Sequence, residues 1–598
     1  MTPNQLAEWS RLLFGTLARA GIRDVIISPG SRSTPFAWAA LKEASLRCHS
    51  IWDERVAGFF ALGQARVSGR PSVLLCTSGS APAHYFPALV EASQAHVPVL
   101  VLSADRPLEL MHASAPQAID QLKLFGEVCR GFFELGVPSS EPSALRGLVR
   151  QLSHACLLAS YPVAGPVHLN ARAQKPLEPV AATDAASLAL SAEVNRLLER
   201  GPVSLSTPEA HTDVTRLVDA CARAERGLIV VGPRSVSEPA AATAFAALAV
   251  ASGFPVLCES PSQLRSRATF GDHERRIDGF DWLLRAPIFS EKNQPDLIVS
   301  FGPPPTSGGY ERLLARGWGG RRIVVSRFAF PDPHGLAHEL TLGDLSRIAQ
   351  ATADGLRAAA KTAQLAAQRE TWLATWRTAS ELALRAVEDE LSRPGALSEP
   401  QAVREITDAL PDNVLLAVGN SLPIREIEAY GRGRRGATRV LCQRGANGID
   451  GLVAGAAGSA SVTGDPVLLL LGDVSFLHDL GGLAAARAAK APLVIVVLDN
   501  GGGRIFEQLP VASLLDTEPR AADYWLTPPH ADLGQAAGVF GHAYRRVSER
   551  AEIRGAIANA LATSGTTVLH VVVEPSSARA ADERVLTQLA QLLREAAP

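Results

Sequence analysis

Short apolar runs alternate along this chain with stretches whose apolar positions recur at helical spacing. Runs at 25–28, 49–52, 73–77, 97–103 and 166–170 are rich in β-branched residues and predict strands, with helical patterns at 55–66 and 82–92 between them. Nearly continuous apolar strands separated by helices belong to parallel sheets covered on both faces. The pattern returns with strands at 227–231, 255–258, 296–301 and 322–326. It returns again at 413–418, 440–442, 466–471, 493–499 and 567–573. Residues 175–205 are rich in Pro, Ala and Ser without a period and predict a linker. Residues 345–392 predict a long helical region ended by Pro394-Gly395, and an amphipathic helix follows Glu574. The expected fold class is α/β, with three doubly wound parallel-sheet domains over 1–180, 205–345 and 396–598 and a helical linker over 346–395.

Composition narrows the function classes. A chain of 598 residues with 47% hydrophobic and 20% charged residues is an ordinary globular protein. Its net charge of −2 gives no basic footprint for nucleic acid. Only six of the 58 basic residues are Lys, so an Arg is no sign of an anion site merely by being Arg. Seven cysteines are scattered without C-x-x-C spacing, the usage of reduced thiols in a cytoplasmic protein. The N-terminus lacks a signal-peptide apolar core, and the apolar runs fall well short of the ~20 residues that span a bilayer, so no membrane insertion is expected.

The chemistry collects at strand ends. Gly472-Asp473 closes one apolar run and Asp499-Asn500-Gly501-Gly502 closes the next, 26 residues separating Asp473 from Asn500, room for one helix and the returning strand. Both then face the crevice in which open α/β sheets hold ligands. A carboxylate, an amide oxygen and a nearby backbone carbonyl form a hard oxygen set suited to Mg²⁺ carrying a diphosphate. The plain structural alternative is a helix cap and a turn. In the first block, SPGSRSTP (28–35), Asp53-Glu54-Arg55, TSGSA (77–81) and ADRP (104–107) each follow a strand. In the third, GNSLPIR (419–425) and QRGANGIDG (443–451) do the same. A helix cap explains any one of these, but their convergence on two rims favours a site.

Taken together, these motifs resemble the thiamine diphosphate (ThDP) enzymes. Among them SPGSRSTP, DERVAGFFALGQA, TSGSAPAHYFPA, ADRP, GNSLPIR and RGANGIDG are similar to the family of 2-succinyl-5-enolpyruvyl-6-hydroxy-3-cyclohexene-1-carboxylate (SEPHCHC) synthases of menaquinone biosynthesis. The likeness spans the first and third blocks, which the resemblance makes the pyrimidine-binding and diphosphate-binding domains, and is weak in the central one. It implies ThDP with Mg²⁺, Mn²⁺ being the alternative ion, held by Asp473, Asn500 and the carbonyl of Gly502. Ser31, Thr77, Ser78, Gly419, Ser421, Ile449, Gly472 and Ser475 complete the cofactor site. Glu54 is implied as the catalytic acid that pairs with the aminopyrimidine, and Ile449 as the apolar prop that bends the cofactor.

The resemblance further implies decarboxylation of 2-oxoglutarate and conjugate addition of its succinyl unit to isochorismate. Arg32, Arg106 and Gln117 would serve isochorismate, while Ser421, Arg425 and Arg444 would serve 2-oxoglutarate, with Ile505, Phe506 and Leu509 as an apolar wall. Fixed arginines suit dicarboxylates. In this superfamily Glu54 and Asp473 come from different subunits, which implies a homodimer with active sites at its interface, or a dimer of dimers. Two departures stand out: the metal motif usually reads Gly-Asp-Gly and Asn-Asn, and here it reads Gly472-Asp473-Val474 and Asp499-Asn500. In the central block Glu311-Arg312 stands where a Lys-Arg pair is expected. The alternatives are a decarboxylase or carboligase of the acetohydroxyacid synthase type, and a catalytically silent protein that kept the fold.

Overall fold

The computed structural model describes residues 4–181, 183–204, 213–233, 239–266, 270, 273–359, 362–432, 438–518 and 520–596. Residue 205, the far end of the expected linker, lies outside them. Among the described residues seventeen strands form three sheets in which every pairing is parallel. The first contains β1 (Asp24–Ile27), β2 (Arg47–Ser50), β3 (Ser72–Cys76), β4 (Val99–Asp105), β5 (Gly131–Glu134) and β6 (Pro166–Arg172), in the order β2-β1-β3-β4-β6-β5. The central sheet holds β7 (Gly227–Val231), β8 (Val256–Cys258), β9 (Leu297–Phe301), β10 (Arg321–Ser326) and β11 (Glu339–Leu342), ordered β11-β10-β9-β7-β8. The third comprises β12 (Leu415–Val418), β13 (Arg439–Cys442), β14 (Val467–Gly472), β15 (Leu493–Asp499), β16 (Ala543–Val547) and β17 (Thr566–Val572), ordered β13-β12-β14-β15-β17-β16. The first and third sheets therefore share one topology. In each, the first strand lies between the second and third, and the chain changes direction there, which opens a crevice at the carboxyl edge.

Three strands carry no clear sequence signal: β5, β11 and β16. Each lies at the edge of its sheet, with one neighbouring strand and partly exposed residues, so none needs a continuous apolar run. The expected linker contains a helix, Ala185–Arg200, capped by Asp184 and packed on the helix Gln5–Arg19. Its Leu190, Val194 and Leu197 enter the first sheet's core at helical spacing. The long helical region is two helices. Leu345–Ala358 buries Leu345, Ile348, Ala349 and Leu356 in the central core. After the extended Ala359, Thr362 caps Ala363–Leu391. That second helix packs Trp372, Trp376 and Ala383 with Val585 and Leu589 of the C-terminal helix Ser577–Glu595. Its buried Arg369 donates to the carbonyls of Cys221, Ala224 and Ser252, tying it to the central domain.

The first and third blocks meet through the helices Glu54–Ser68 and Leu452–Val462 within one shared core. A Cβ on Gly63 would lie 2.0 Å from the Gly455 carbonyl oxygen, and one on Gly458 2.0 Å from that of Phe60. The helices approach this closely only because those positions lack side chains. Among the described residues no helix is long and apolar enough to cross a membrane.

Candidate active site

The third rim gathers a carboxylate and an amide from adjacent strands. Asp473 follows β14 and opens the helix Asp473–His478. It is buried, and accepts from the N–H groups of Val474 (2.7 Å) and Gly502 (2.8 Å). Burial, and next the neighbouring Asp499 carboxyl, push its carboxyl up to about 6. Asn500 follows β15. Its Nδ2 donates to Glu399 Oε2 at 2.8 Å, while its Oδ1 is buried without a partner. Gly502 has φ +128°, and a Cβ there would lie 2.2 Å from the Leu526 carbonyl oxygen, so only glycine turns the loop here. A buried carboxylate without a cation, beside an amide oxygen without a donor, fits a hard divalent cation. Ser475 is buried in the same short helix.

The two motif departures keep this geometry. Val474 supplies its backbone N–H to Asp473, a role that needs no particular side chain. Asp499 pairs with His570 Nε2 at 2.7 Å, and His570 Nδ1 meets Tyr544 Oη at 2.8 Å. That histidine holds Asp499 below the usual carboxylate range.

Gly419 follows β12 and its N–H donates to Leu470 O at 2.7 Å, fixing it beside β14. Ser421 has φ +71°, a backbone state that costs a non-glycine residue on the order of 1–3 kcal/mol. Arg425, one turn on, returns a hydrogen bond to its carbonyl at 2.7 Å. Arg444 follows β13 and donates to Asn420 Oδ1 at 3.2 Å. Partial desolvation, and next Arg444, lower the pKa of Arg425, while Asp281 and Glu311 of the central domain oppose that shift. Glu311 thus faces this rim electrostatically. Ile505 and Phe506 are half-buried in the turn Arg504–Gln508, and Leu509 is exposed.

The loop after β13 is gripped from the first block. Glu91 is fully buried and accepts from the N–H groups of Gly445 (3.0 Å), Ala446 (2.6 Å) and Asn447 (3.0 Å), and from Arg66 Nη2 at 2.8 Å. Three successive N–H groups around one carboxylate form an anion-binding nest. Its loop carries Arg444 at one end and the half-buried Ile449 at the other. Asn420 closes the loop by donating to the carbonyls of Gln443, Asn447 and Gly448. Gly451 follows at φ +66°, where a Cβ would strike the Phe59 ring at 2.0 Å.

On the first rim, Ser31 and Arg32 follow β1 in a short turn. Arg32 is buried and donates to Ala173 O at 2.7 Å. Burial, and next the neighbouring Arg106, lower its pKa, with Asp105 opposing. Glu54 is half-exposed in the first turn of its helix, which Asp53 caps. Thr77 and Ser78 are buried after β3. The Gln117 carbonyl accepts from Ser78 Oγ (3.0 Å) and Arg106 Nε (3.3 Å), which brings Gln117 to the arginine pair. No hydrogen bond or ion pair joins Glu54 to Asp473, Asn500 or Gly502. The two rims lie on separate sheets of one chain.

Sequence reading missed Glu91 and Glu399. Each acts on a loop hundreds of residues or about a hundred residues away in the chain, and neither sits in a motif. A carboxylate within a helix pattern gives no local sign of such a partner.

Paired parallel sheets of one topology, each with polar loops at its carboxyl edge, are the architecture of a thiamine diphosphate enzyme. Residues 8–124 match the family described as "Thiamine pyrophosphate enzyme, N-terminal TPP binding domain", and residues 430–571 match its "C-terminal TPP binding domain" counterpart. Within that class the chain belongs to the SEPHCHC synthase family. It is 44% identical to the 2-succinyl-5-enolpyruvyl-6-hydroxy-3-cyclohexene-1-carboxylate synthase of Sorangium cellulosum, over 96% of this chain and 93% of that protein. The protein of that name from Geobacillus kaustophilus is 37% identical over 97% and 96%, and that from Haloarcula marismortui 34% over 99% of each.

Proposed function

We propose that this protein decarboxylates 2-oxoglutarate and joins the remaining succinyl unit to isochorismate by conjugate addition, giving SEPHCHC. The observation that carries this reading is the pairing of like charges. Arg32 with Arg106, and Arg425 with Arg444, each lie close enough to depress a guanidinium pKa. Two arginine pairs on two rims suit two dicarboxylic substrates, because a bound carboxylate relieves each repulsion.

Bound ThDP supplies a nucleophilic carbon and a sink for the electron pair released with CO₂. Asp473, Asn500 Oδ1 and the Gly502 carbonyl would hold the Mg²⁺ that accompanies the cofactor, and Ser475 would serve its diphosphate. Ser31, Thr77, Ser78, Gly419 and Gly472 supply backbone and hydroxyl contacts. Ile449 props the cofactor's bend. Glu54 would hold the proton shared with N1′ of the pyrimidine, an acid–base role. Ser421, Arg425 and Arg444 orient the distal carboxylate of 2-oxoglutarate. Arg32, Arg106 and Gln117 receive isochorismate, and Ile505, Phe506 and Leu509 exclude water.

No hydrogen bond or ion pair joins Glu54 to Asp473 within one chain, and Trp52 beside Glu54 is 63% exposed. Both features support an active dimer in which Glu54 of one subunit faces Asp473 of the other. Scattered cysteines without C-x-x-C spacing support a cytoplasmic location. Incubation with ThDP, Mg²⁺, 2-oxoglutarate and isochorismate should yield one product whose mass is the sum of the two substrates less CO₂. Preferential turnover of pyruvate would instead support the acetohydroxyacid synthase type. For the dimer, mixing inactive Glu54→Gln and Asp473→Ala subunits should restore activity, since one site per mixed dimer has both residues intact. No recovery after subunit exchange would place both residues of each site on one chain.

A further inference from the structure

Asn500 is aimed by a residue outside the proposed metal group. Its Nδ2 donates to Glu399 Oε2 at 2.8 Å, and its buried Oδ1 has no partner. Glu399 is itself 2% exposed, in the first turn of the helix Glu399–Asp408. That turn is held from both sides. Ser398 and Gln401 form a reciprocal capping box, and Ser577 Oγ accepts from the Glu399 N–H at 3.0 Å. The backbone that carries the carboxylate is therefore held by the chain's own contacts.

A side-chain amide has nearly the same shape when turned over, and only its partners decide which end faces where. Here Glu399 Oε2 accepts from the NH₂ end of Asn500, with a second buried carboxyl, Glu426, beside it, and that contact selects which end of the amide faces Glu399. Oδ1 then points away from Glu399. We propose that Glu399 is a positioning residue for the divalent cation: it holds the Asn500 amide so that oxygen, not NH₂, meets the metal. This rests on the reading of Asp473 and Asn500 as metal ligands. Partners that orient a metal ligand typically contribute 10–100-fold in metal affinity.

The test is Mn²⁺ affinity of the full-length protein with saturating ThDP, read from the electron paramagnetic resonance signal of the free ion. Glu399→Met keeps length and burial but has no acceptor, and should weaken Mn²⁺ binding about 10–100-fold. Glu399→Gln offers Oε1 to the same N–H and should bind nearly as wild type. Asp473→Ala should lose Mn²⁺ altogether. Wild-type affinity in Glu399→Met, with Asp473→Ala empty, overturns the positioning role and leaves the metal site standing. Equal losses in Glu399→Gln and Glu399→Met overturn it too, because charge rather than orientation would then be what Glu399 supplies. Mn²⁺ binding retained in Asp473→Ala overturns the metal site itself. Glu399→Ala carries the same expectations should the Met side chain not be accommodated.

Discussion

The first and third sheets have one strand order, yet the buried acids singled out here are partnered differently in the two. In the first block, acids find arginines: Asp105 meets Arg172 at 3.1 Å, Asp24 meets Arg47 at 2.6 Å, and Glu91 meets Arg66 at 2.8 Å. In the third, Asp473 and Asp479 are buried on backbone N–H groups and Glu399 on an amide, with no cationic side chain against them. Burial pushes them up to about 6, 7 and 7 respectively. The first sheet's acids named here are balanced by arginines of the same chain, whereas Asp473 and Glu399 of the third lack a cationic side chain, a setting that the proposed Mg²⁺ would complete. Topology places loops at a crevice, and the loop residues decide what the crevice wants.

The largest expected effect removes that cation's carboxylate. Asp473→Ala should abolish metal-dependent ThDP binding by calorimetry, and unchanged ThDP affinity would end the distinction between the two sheets. Next in size is Glu54→Gln, which keeps the side chain's shape but not its acid. It should bind ThDP almost normally and lose about 10²–10⁴ in turnover. A variant above half the wild-type rate would make Glu54 merely a first-turn carboxylate.

The arginine pairs sharpen the comparison further. Arg425→Ala should raise the KM for 2-oxoglutarate and slow decarboxylation measured without isochorismate. Arg106→Ala should spare that half-reaction and impair only joining. A lost charge-assisted bond of about 1.5–3 kcal/mol corresponds to roughly 10–150-fold. Equal loss of the half-reaction in both would show that the rims do not divide the substrates.

The smallest effects are on stability, and their signs oppose. His168 of β6 is buried against Ser103 Oγ at 2.7 Å, and burial lowers its pKa from 6.5 to about 3. The unfolded chain takes up the proton first, so this contribution is intact above pH 6.5 and lost as pH falls toward 3, at up to ~1.4 kcal/mol per unit. Asp479 caps the helix Leu452–Val462 through the Ala454 N–H at 2.8 Å, and burial raises it from 3.8 to about 7. Here the folded state keeps the proton, so stability is lost as pH rises from 3.8 to 7. His168→Gln should flatten the acid side of a melting-temperature profile between pH 4.5 and 7. Asp479→Asn should raise the melting temperature more at pH 8 than at pH 5. The same slope in both variants would remove the contrast.

Much of the fold is legible because buried parallel strands must be apolar throughout. The runs ending at Cys76, Gly472 and Asp499 therefore announce themselves. Asp473, Asn500 and Gly502 are legible for a related reason: a strand end followed by a polar turn is visible locally. The edge strands β5, β11 and β16 are not, since one solvated side relaxes the demand for apolar residues. The helix Ala185–Arg200 did carry a signal in Leu190, Val194 and Leu197, weakened by the Ala and Ser around them.

By itself, then, the sequence determined the sheets' central strands, the rims and the residue types on them, because each follows from local spacing and strand burial. It also determined the family, through motifs that span both ends of the chain. Only the tertiary structure decided that the first and third sheets share an order, and that Gly63 and Gly458 let their helices meet. It alone placed Glu91 in the loop between Arg444 and Ile449, and Glu399 behind Asn500. Those contacts join residues far apart in the chain. A carboxylate's partner there is chosen by three-dimensional proximity in a low-dielectric interior, a quantity that no local window of sequence contains.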